Sequence, residues 1–190
     1  MDYRIRANEL RQTLKAWNQT LPGREKVHLI ACGGTALTLL GYKESTKDVD
    51  FLVPEREEYE RLTQFLKQAG YRPITSYGWK RPEESVIFDL YMGSRVYSTE
   101  LLESPLKKGG NKKIQDWSKI YLGTLNAYDL IISKMFRGDE VDIEDSLLLM
   151  KHEKINLEKL KKRFKETAQY EVSEERVLRN LDRLLTRIKK

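Results

Sequence analysis

Two aspartates separated by one residue, Asp48 and Asp50, lead into the apolar run Phe51-Leu52-Val53. In a strand, residues two apart face the same side. This spacing therefore presents both carboxylates to one face and turns Val49 to the other. Two like charges that close repel, and a sheet has no structural use for them. A divalent cation that prefers hard oxygen ligands, Mg²⁺ or Mn²⁺, held against a phosphate-bearing substrate, reconciles them. Asp89 is a third carboxylate of the same kind, set inside Val86-Ile87-Phe88-Asp89-Leu90. Buried without a partner there it would cost several kcal/mol. A cation shared with Asp48 and Asp50 would compensate it, as would an ion pair or an edge position.

Gly33-Gly34 close the apolar run of residues 27–32 (VHLIAC) and precede a short helical stretch. Backbone N–H groups are free at such a junction and no Cβ obstructs close approach, an arrangement suited to phosphate; a plain strand-to-helix turn uses the same residues. His28 and His152 read as structural, and Cys32 as a small core residue. Tyr71, Tyr77 and Trp79 gather before the third strand, where they could stack on a base or cover a sheet edge. The stretch 107–113 (KKGGNKK) reads as a basic loop, either an RNA contact or solvated.

The elements that must position these residues follow from periodicity. Residues 5–19 carry Ala7, Leu10, Leu14 and Trp17 at helical spacing, and Leu21-Pro22-Gly23 ends that helix. Strands are expected at 27–32, 48–53, 85–92 and 114–122, with a helix at 35–40 and a longer one at 55–69 opened by Pro54 and capped by Gly70. Residues 71–84 read as irregular, and 97–102 as a short extension. From Asn126 the pattern is helical, with further helices at 157–167 and 173–188. Strands thus gather in 27–122 and helices in 126–190. That predicts an α+β fold: a small mixed β-sheet core flanked by helices, with a helical C-terminal half. The expected division is 1–124 for the core and 125–190 for the helical region.

At 190 residues with 39% hydrophobic content the chain can bury one sizeable core. No apolar run approaches the roughly 18–20 residues needed to span a bilayer, and the charged N-terminus lacks the apolar segment of a signal peptide. One cysteine excludes an internal disulfide framework, and with two histidines a structural zinc site is not expected. A cytoplasmic location is expected. The net charge of +6 is localised: residues 151–190 hold 13 Lys/Arg against 7 Asp/Glu, and the first 150 residues balance at 22 of each. This basic C-terminal region could attract an anionic polymer such as RNA, or be the solvated face of Lys-rich helices.

Gly33-Gly34-Thr35-Ala36-Leu37, then Ser45-Thr46-Lys47-Asp48-Val49-Asp50-Phe51, then Asp89 in a later strand, resembles the nucleotidyltransferase (DNA polymerase β-like) superfamily. The start is similar to the branch of AbiEii-type toxins and related minimal nucleotidyltransferases. Lys43 matches a basic residue before Asp-x-Asp, and Asp129 to Lys134 match a downstream Asp-x-x-x-x-Lys helix. Arg137 matches the next basic residue. The basic residue expected just before Asp142 is absent, which leaves Asp142 and Asp145 without a carried-over role. The resemblance covers about residues 27–152 and leaves the last 38 unmatched. It implies two-metal transfer of an NMP from an NTP to an acceptor hydroxyl. Asp48, Asp50 and Asp89 would be catalytic metal ligands for Mg²⁺ or Mn²⁺; Gly33, Gly34, Thr35, Lys47 and Lys134 would contact the nucleotide. The implied acceptor is RNA or tRNA, with an antitoxin protein as partner. A small-molecule acceptor of antibiotic type, or a non-catalytic RNA- or partner-binding protein, fits the same fold.

Overall fold

The computed structural model describes residues 3–188. Met1, Asp2, Lys189 and Lys190, the last two part of the basic tail, lie outside the described residues. The first half runs β1 (Ile5–Arg6), α1 (Ala7–Thr20), β2 (Val27–Ala31), α2 (Gly33–Leu39), β3 (Ser45–Thr46), β4 (Val49–Val53), α3 (Arg56–Gln68), β5 (Arg72–Pro73), β6 (Gly78–Lys80) and β7 (Phe88–Met92). It continues with β8 (Arg95–Val96), β9 (Thr99–Glu100), β10 (Asn111–Asp116), β11 (Ile120–Leu125), α4 (Ala127–Arg137), α5 (Glu140–His152), α6 (Leu157–Ala168) and α7 (Glu174–Ile188).

A mixed seven-stranded sheet, in the order β10-β11-β2-β4-β7-β6-β5, forms the centre. Its middle strands β2, β4 and β11 are short apolar runs, almost wholly buried, as strands covered on both faces must be. β4 lies parallel to β7 in the register Val49↔Phe88, Asp50↔Asp89, Phe51↔Leu90 and Leu52↔Tyr91. Alternation therefore puts Val49, Phe51, Phe88 and Leu90 on one face, and Asp50, Asp89, Leu52 and Tyr91 on the other. Beneath the first face Trp17 of α1 packs on Phe88 with ring centroids 4.8 Å apart, and on Tyr71 at 5.6 Å. Phe65 of α3 closes the group at 6.3 Å from Trp17. Each fully buried ring of this kind contributes about 1.5–3 kcal/mol, enough to fix the sheet on its two helices.

In the C-terminal half α4 is the central rod. Eight successive residues, Asp129 to Phe136, are buried, because α5, α6, α7 and α2 all pack against it. A helix covered on every side must satisfy its polar residues internally, and α4 does so through ion pairs described below. Gly138 ends it in the left-handed conformation at φ +76°, where a Cβ would stand 2.1 Å from Asn180 Nδ2 on α7.

Four expectations are corrected. Residues 71–84 are not irregular: they contain the β5–β6 hairpin that extends the sheet beyond β7. Residues 114–122 are not one strand but parts of two, β10 and β11, joined as an antiparallel hairpin. Most of β10 (NKKIQD) is polar because it is an edge strand with neither face well covered, so alternation could not reveal it. The basic loop is correspondingly shorter, since Asn111, Lys112 and Lys113 belong to β10. Residues 97–102 are not a simple extension, for β8 and β9 form a hairpin with Tyr97 at its tip.

Candidate active site

Asp50 is 4% exposed and held at every backbone atom that can bond. Its N–H donates to Thr35 Oγ1 (2.9 Å) and its carbonyl accepts from the Cys32 N–H (3.1 Å). Thr35 Oγ1 in turn donates to the Asp48 carbonyl (3.0 Å), as does Thr46 Oγ1 (3.0 Å). The two threonines thus clamp the chain on either side of Val49. Gly33, at φ +56°, is the floor: a Cβ there would stand 2.5 Å from Asp50 Oδ2. At Gly34 a Cβ would stand 2.8 Å from Thr46 Oγ1. Both glycines lie in the first turn of α2 and are required by the packing of the aspartate segment itself.

Asp50 and Asp89 are register partners, and Asp48 stands exposed at the mouth of β4. Burial pushes the Asp50 carboxyl up to about 6. The Tyr97 hydroxyl, which donates to Oδ1 at 2.5 Å, opposes that, and the Asp89 and Asp48 charges add to it. Asp89 is likewise pushed up to about 6, by burial and then by Asp48. Its Oδ1 leans over β6, where a Cβ on Gly78 would stand 3.0 Å away. Asp50 and Asp89, both raised by burial with neighbouring carboxylate charge adding to it, are short of positive charge. Among the described residues no group of three or more His, Cys, Asp and Glu side chains closes into a ready metal cage. The donor set nonetheless fits a hard divalent cation, which would bring the missing charge to carboxylate oxygens alone.

Thr35, Lys47 and Lys134 are the other expected nucleotide contacts. Thr35 is buried, its hydroxyl used twice by the aspartate segment. Lys47 is exposed beside Asp48. Lys134 is buried on α4, with Nζ 2.7 Å from Asp145 Oδ2 and 3.7 Å from Asp142 Oδ1. Its charge still reaches Asp50 and lowers that pKa in part. Lys43 adds a second cation to Asp145 at 2.8 Å. Burial pushes the Asp145 carboxyl up, but Lys134 and Lys43 together hold it below its ordinary value. Fully buried Asp142 accepts both Nε and Nη2 of Arg137, at 2.7 and 2.6 Å. The Asn126 side chain caps α4 by accepting from the Asp129 N–H, and the Asp129 carboxylate pairs with Arg163.

Three arginines of the basic tail are engaged by α4 and α5. Arg176 and Arg183 donate to the carbonyls of Phe136 and Gly138, and Arg187 pairs with Glu140. In the basic stretch before α4, Lys107 and Lys112 pair with Glu103 and Glu153. His28 pairs with Glu58, and His152 stacks on Tyr42 at 4.4 Å. Tyr71 and Trp79 are core residues, whereas Tyr77 is 40% exposed. Sequence reasoning missed Tyr97. It takes φ +54°, a conformation costing about 1–2 kcal/mol for a residue with a Cβ, and nothing in Val96-Tyr97-Ser98 announces such a turn.

With this geometry in view, the comparisons are informative. A family model described as a nucleotidyltransferase of unknown function (DUF6036) matches residues 110–190, including the last 38 residues that the sequence resemblance left unmatched. No curated protein sequence matches the chain. Among solved structures, ANT(2")-Ia in complex with adenylyl-2"-tobramycin superposes with a TM-score of 0.57 at 16% identity, covering 86% of this chain and 97% of that one. A solution structure of the antibiotic-resistance factor ANT(2'')-Ia gives 0.54 at 17% identity, over 83% and 88% of the two chains. The fold is that of the nucleotidyltransferases. An antigenic nucleotidyltransferase-like protein from Paracoccidioides brasiliensis agrees, with a TM-score of 0.54 at 12% identity over 94% and 95%. Among the described residues no helix is long and apolar enough to cross a membrane.

Proposed function

We propose that the chain moves a nucleoside monophosphate from a nucleoside triphosphate to an acceptor hydroxyl. The observation that carries this is the register pairing of Asp50 with Asp89 beside Asp48, on a nucleotidyltransferase fold, with Gly33 and Gly34 against the same segment. Asp48, Asp50 and Asp89 would hold Mg²⁺ or Mn²⁺, which when bound neutralises triphosphate charge and activates the acceptor hydroxyl. Gly33 and Gly34 let α2 pack against Asp50 and Thr46, which holds the aspartates where the triphosphate would bind. The acceptor oxygen forms a bond to the α-phosphorus as the bond to the bridging oxygen breaks, and that electron pair leaves with pyrophosphate. Asp89 would help hold that cation beside the acceptor hydroxyl, whose proton passes to solvent as the new bond forms. Lys134 acts at one remove, through its charge and through the network that fixes α4 and α5.

Isothermal titration of each of the four NTPs, with and without Mg²⁺, on wild type and Asp50→Ala tests this. Metal-dependent binding that the variant loses is expected. Absence of binding by every NTP in either Mg²⁺ or Mn²⁺ would sink the proposal. Labelled NTP with total RNA would then identify the acceptor class. If RNA is the acceptor, expression in cells should arrest growth and Asp50→Ala should relieve the arrest, as the resemblance to AbiEii-type toxins implies.

A further inference from the structure

Beyond the end of β6 the edge of β7 opens into a cleft of about 530 Å³, within the range of small-ligand sites. On β7, β6 pairs with Phe88 and Asp89 and the Leu90 N–H donates to the Tyr77 carbonyl, so Tyr91 and Met92 continue past it. Three tyrosines form the wall. Tyr77 and Tyr91 have ring centroids 4.9 Å apart, and so do Tyr91 and Tyr97. Tyr77, Tyr97 and Met92 expose 40%, 39% and 48% of their surface there. Arg95 is the only charged residue of the lining, which contains no carboxylate.

The position of the cleft relative to the carboxylates is defined by Asp50. Its Oδ2 faces Gly33, and its Oδ1 accepts from Tyr97, a wall of the cleft. Asp89 leans over Gly78, the neighbour of Tyr77. Gly33 and the cleft wall thus meet different oxygens of Asp50, so a group seated in the cleft lies next to a carboxylate that the transfer reaction uses, and the acceptor can enter from there.

We infer that this cleft is the acceptor subsite and that it takes the terminal nucleobase of a single-stranded nucleic acid, an inference that rests on the transfer reaction proposed above. Exposed tyrosine faces stack on bases irrespective of sequence, and a cation beside them meets the adjoining phosphate. The same lining is wrong for an amino-sugar acceptor such as tobramycin, a polycation that needs carboxylates around it and would meet Arg95 instead.

The test uses a short single-stranded oligoribonucleotide ending in 2-aminopurine, whose fluorescence falls on stacking, with the full-length protein and no NTP. Wild type is expected to quench it. Tyr77→Ala should weaken binding about 5- to 150-fold, Tyr77→Phe should restore it, and Arg95→Ala should reduce the salt slope by about one. Mg²⁺-dependent NTP binding, followed separately by calorimetry, should be unchanged in Tyr77→Ala. If NTP binds but the oligonucleotide is not quenched, or is bound equally by Tyr77→Ala, the cleft assignment is overturned while the transfer reaction stands. Competition by tobramycin at the cleft would likewise overturn it. If no NTP binds yet quenching depends on Tyr77, the transfer reaction fails and the cleft still binds nucleic acid.

Discussion

Substituting Gly33 by alanine isolates what the first glycine contributes. At φ +56° an added Cβ costs about 1–2 kcal/mol in backbone strain. It also arrives 2.5 Å from Asp50 Oδ2, so the carboxylate must rotate out of its place between Gly33 and Tyr97. For a chain of this size the strain should lower Tm by about 2–8 °C. Losing one well-placed charged contact should weaken Mg²⁺-dependent NTP binding about 10-fold or more. Gly138→Ala is the matched control. It has the same kind of strain at φ +76° and a worse collision, 2.1 Å from Asn180 Nδ2, yet it lies at the α4–α5 junction rather than against Asp50. Thermal melts and NTP titrations on both variants separate fold from site. Gly138→Ala should lose at least as much stability and keep its affinity in the folded protein. A Gly33→Ala protein that binds NTP as tightly as wild type would refute the claim that Gly33 positions Asp50 for ligand.

Two further perturbations follow from the buried charges. The folded-state pKa of Asp50 is about 6 against an ordinary 3.8, so the native state holds this proton more tightly. Metal-free stability should therefore fall as pH rises from about 4 to 6 and then level off. Asp50→Asn removes the Asp50 share of that slope, leaving that of Asp89, and should be up to about 3 kcal/mol more stable than wild type at pH 8, converging toward pH 4; urea melts without metal that show no such gain would count against burial as the cause. Lys134→Met leaves Asp145 to Lys43 and Asp142 to Arg137, so its cost should sit near the low end for breaking a buried pair, about 3 kcal/mol. That is a Tm fall of about 6–12 °C, and an unchanged melt would mean that Lys134 carries no structural charge.

The parts of this fold that were legible in the sequence are those with a strong period or a hard local constraint. Leu10, Leu14 and Trp17 announced α1, and Asp-x-Asp ahead of an apolar run announced the strand that carries Asp50, although Asp48 lies just before that strand rather than in it. Asp89 was legible because a charge inside an apolar run demands an explanation. The remainder depends on tertiary partners. β5 and β6 are two and three residues long and owe their existence to the edge of β7. β10 is an edge strand written mainly in polar residues. Thr35 looked like part of a phosphate turn, yet its hydroxyl serves the backbone of Asp48 and Asp50. Tyr97 could not be found from its neighbours, since its contact with Asp50 spans 47 residues of sequence and a hairpin tip.

The downstream charged residues acquire a meaning from the same contacts. Asp50 accepts from Tyr97, whose ring lies 5.5 Å from the Arg137 guanidinium. Arg137 grips Asp142, Asp142 neighbours Lys134, Lys134 pairs with Asp145, and Asp145 pairs with Lys43. Lys43 lies just upstream of Thr46 and Asp48 in the chain, so the circuit returns to the segment it left. The carboxylates of α5 are therefore already neutralised by Arg137, Lys134 and Lys43, which makes them poor ligands for a further cation. Asp50 and Asp89, by contrast, are raised by burial. The helical half thus bears on the site by fixing it from two directions, at Tyr97 and at Lys43.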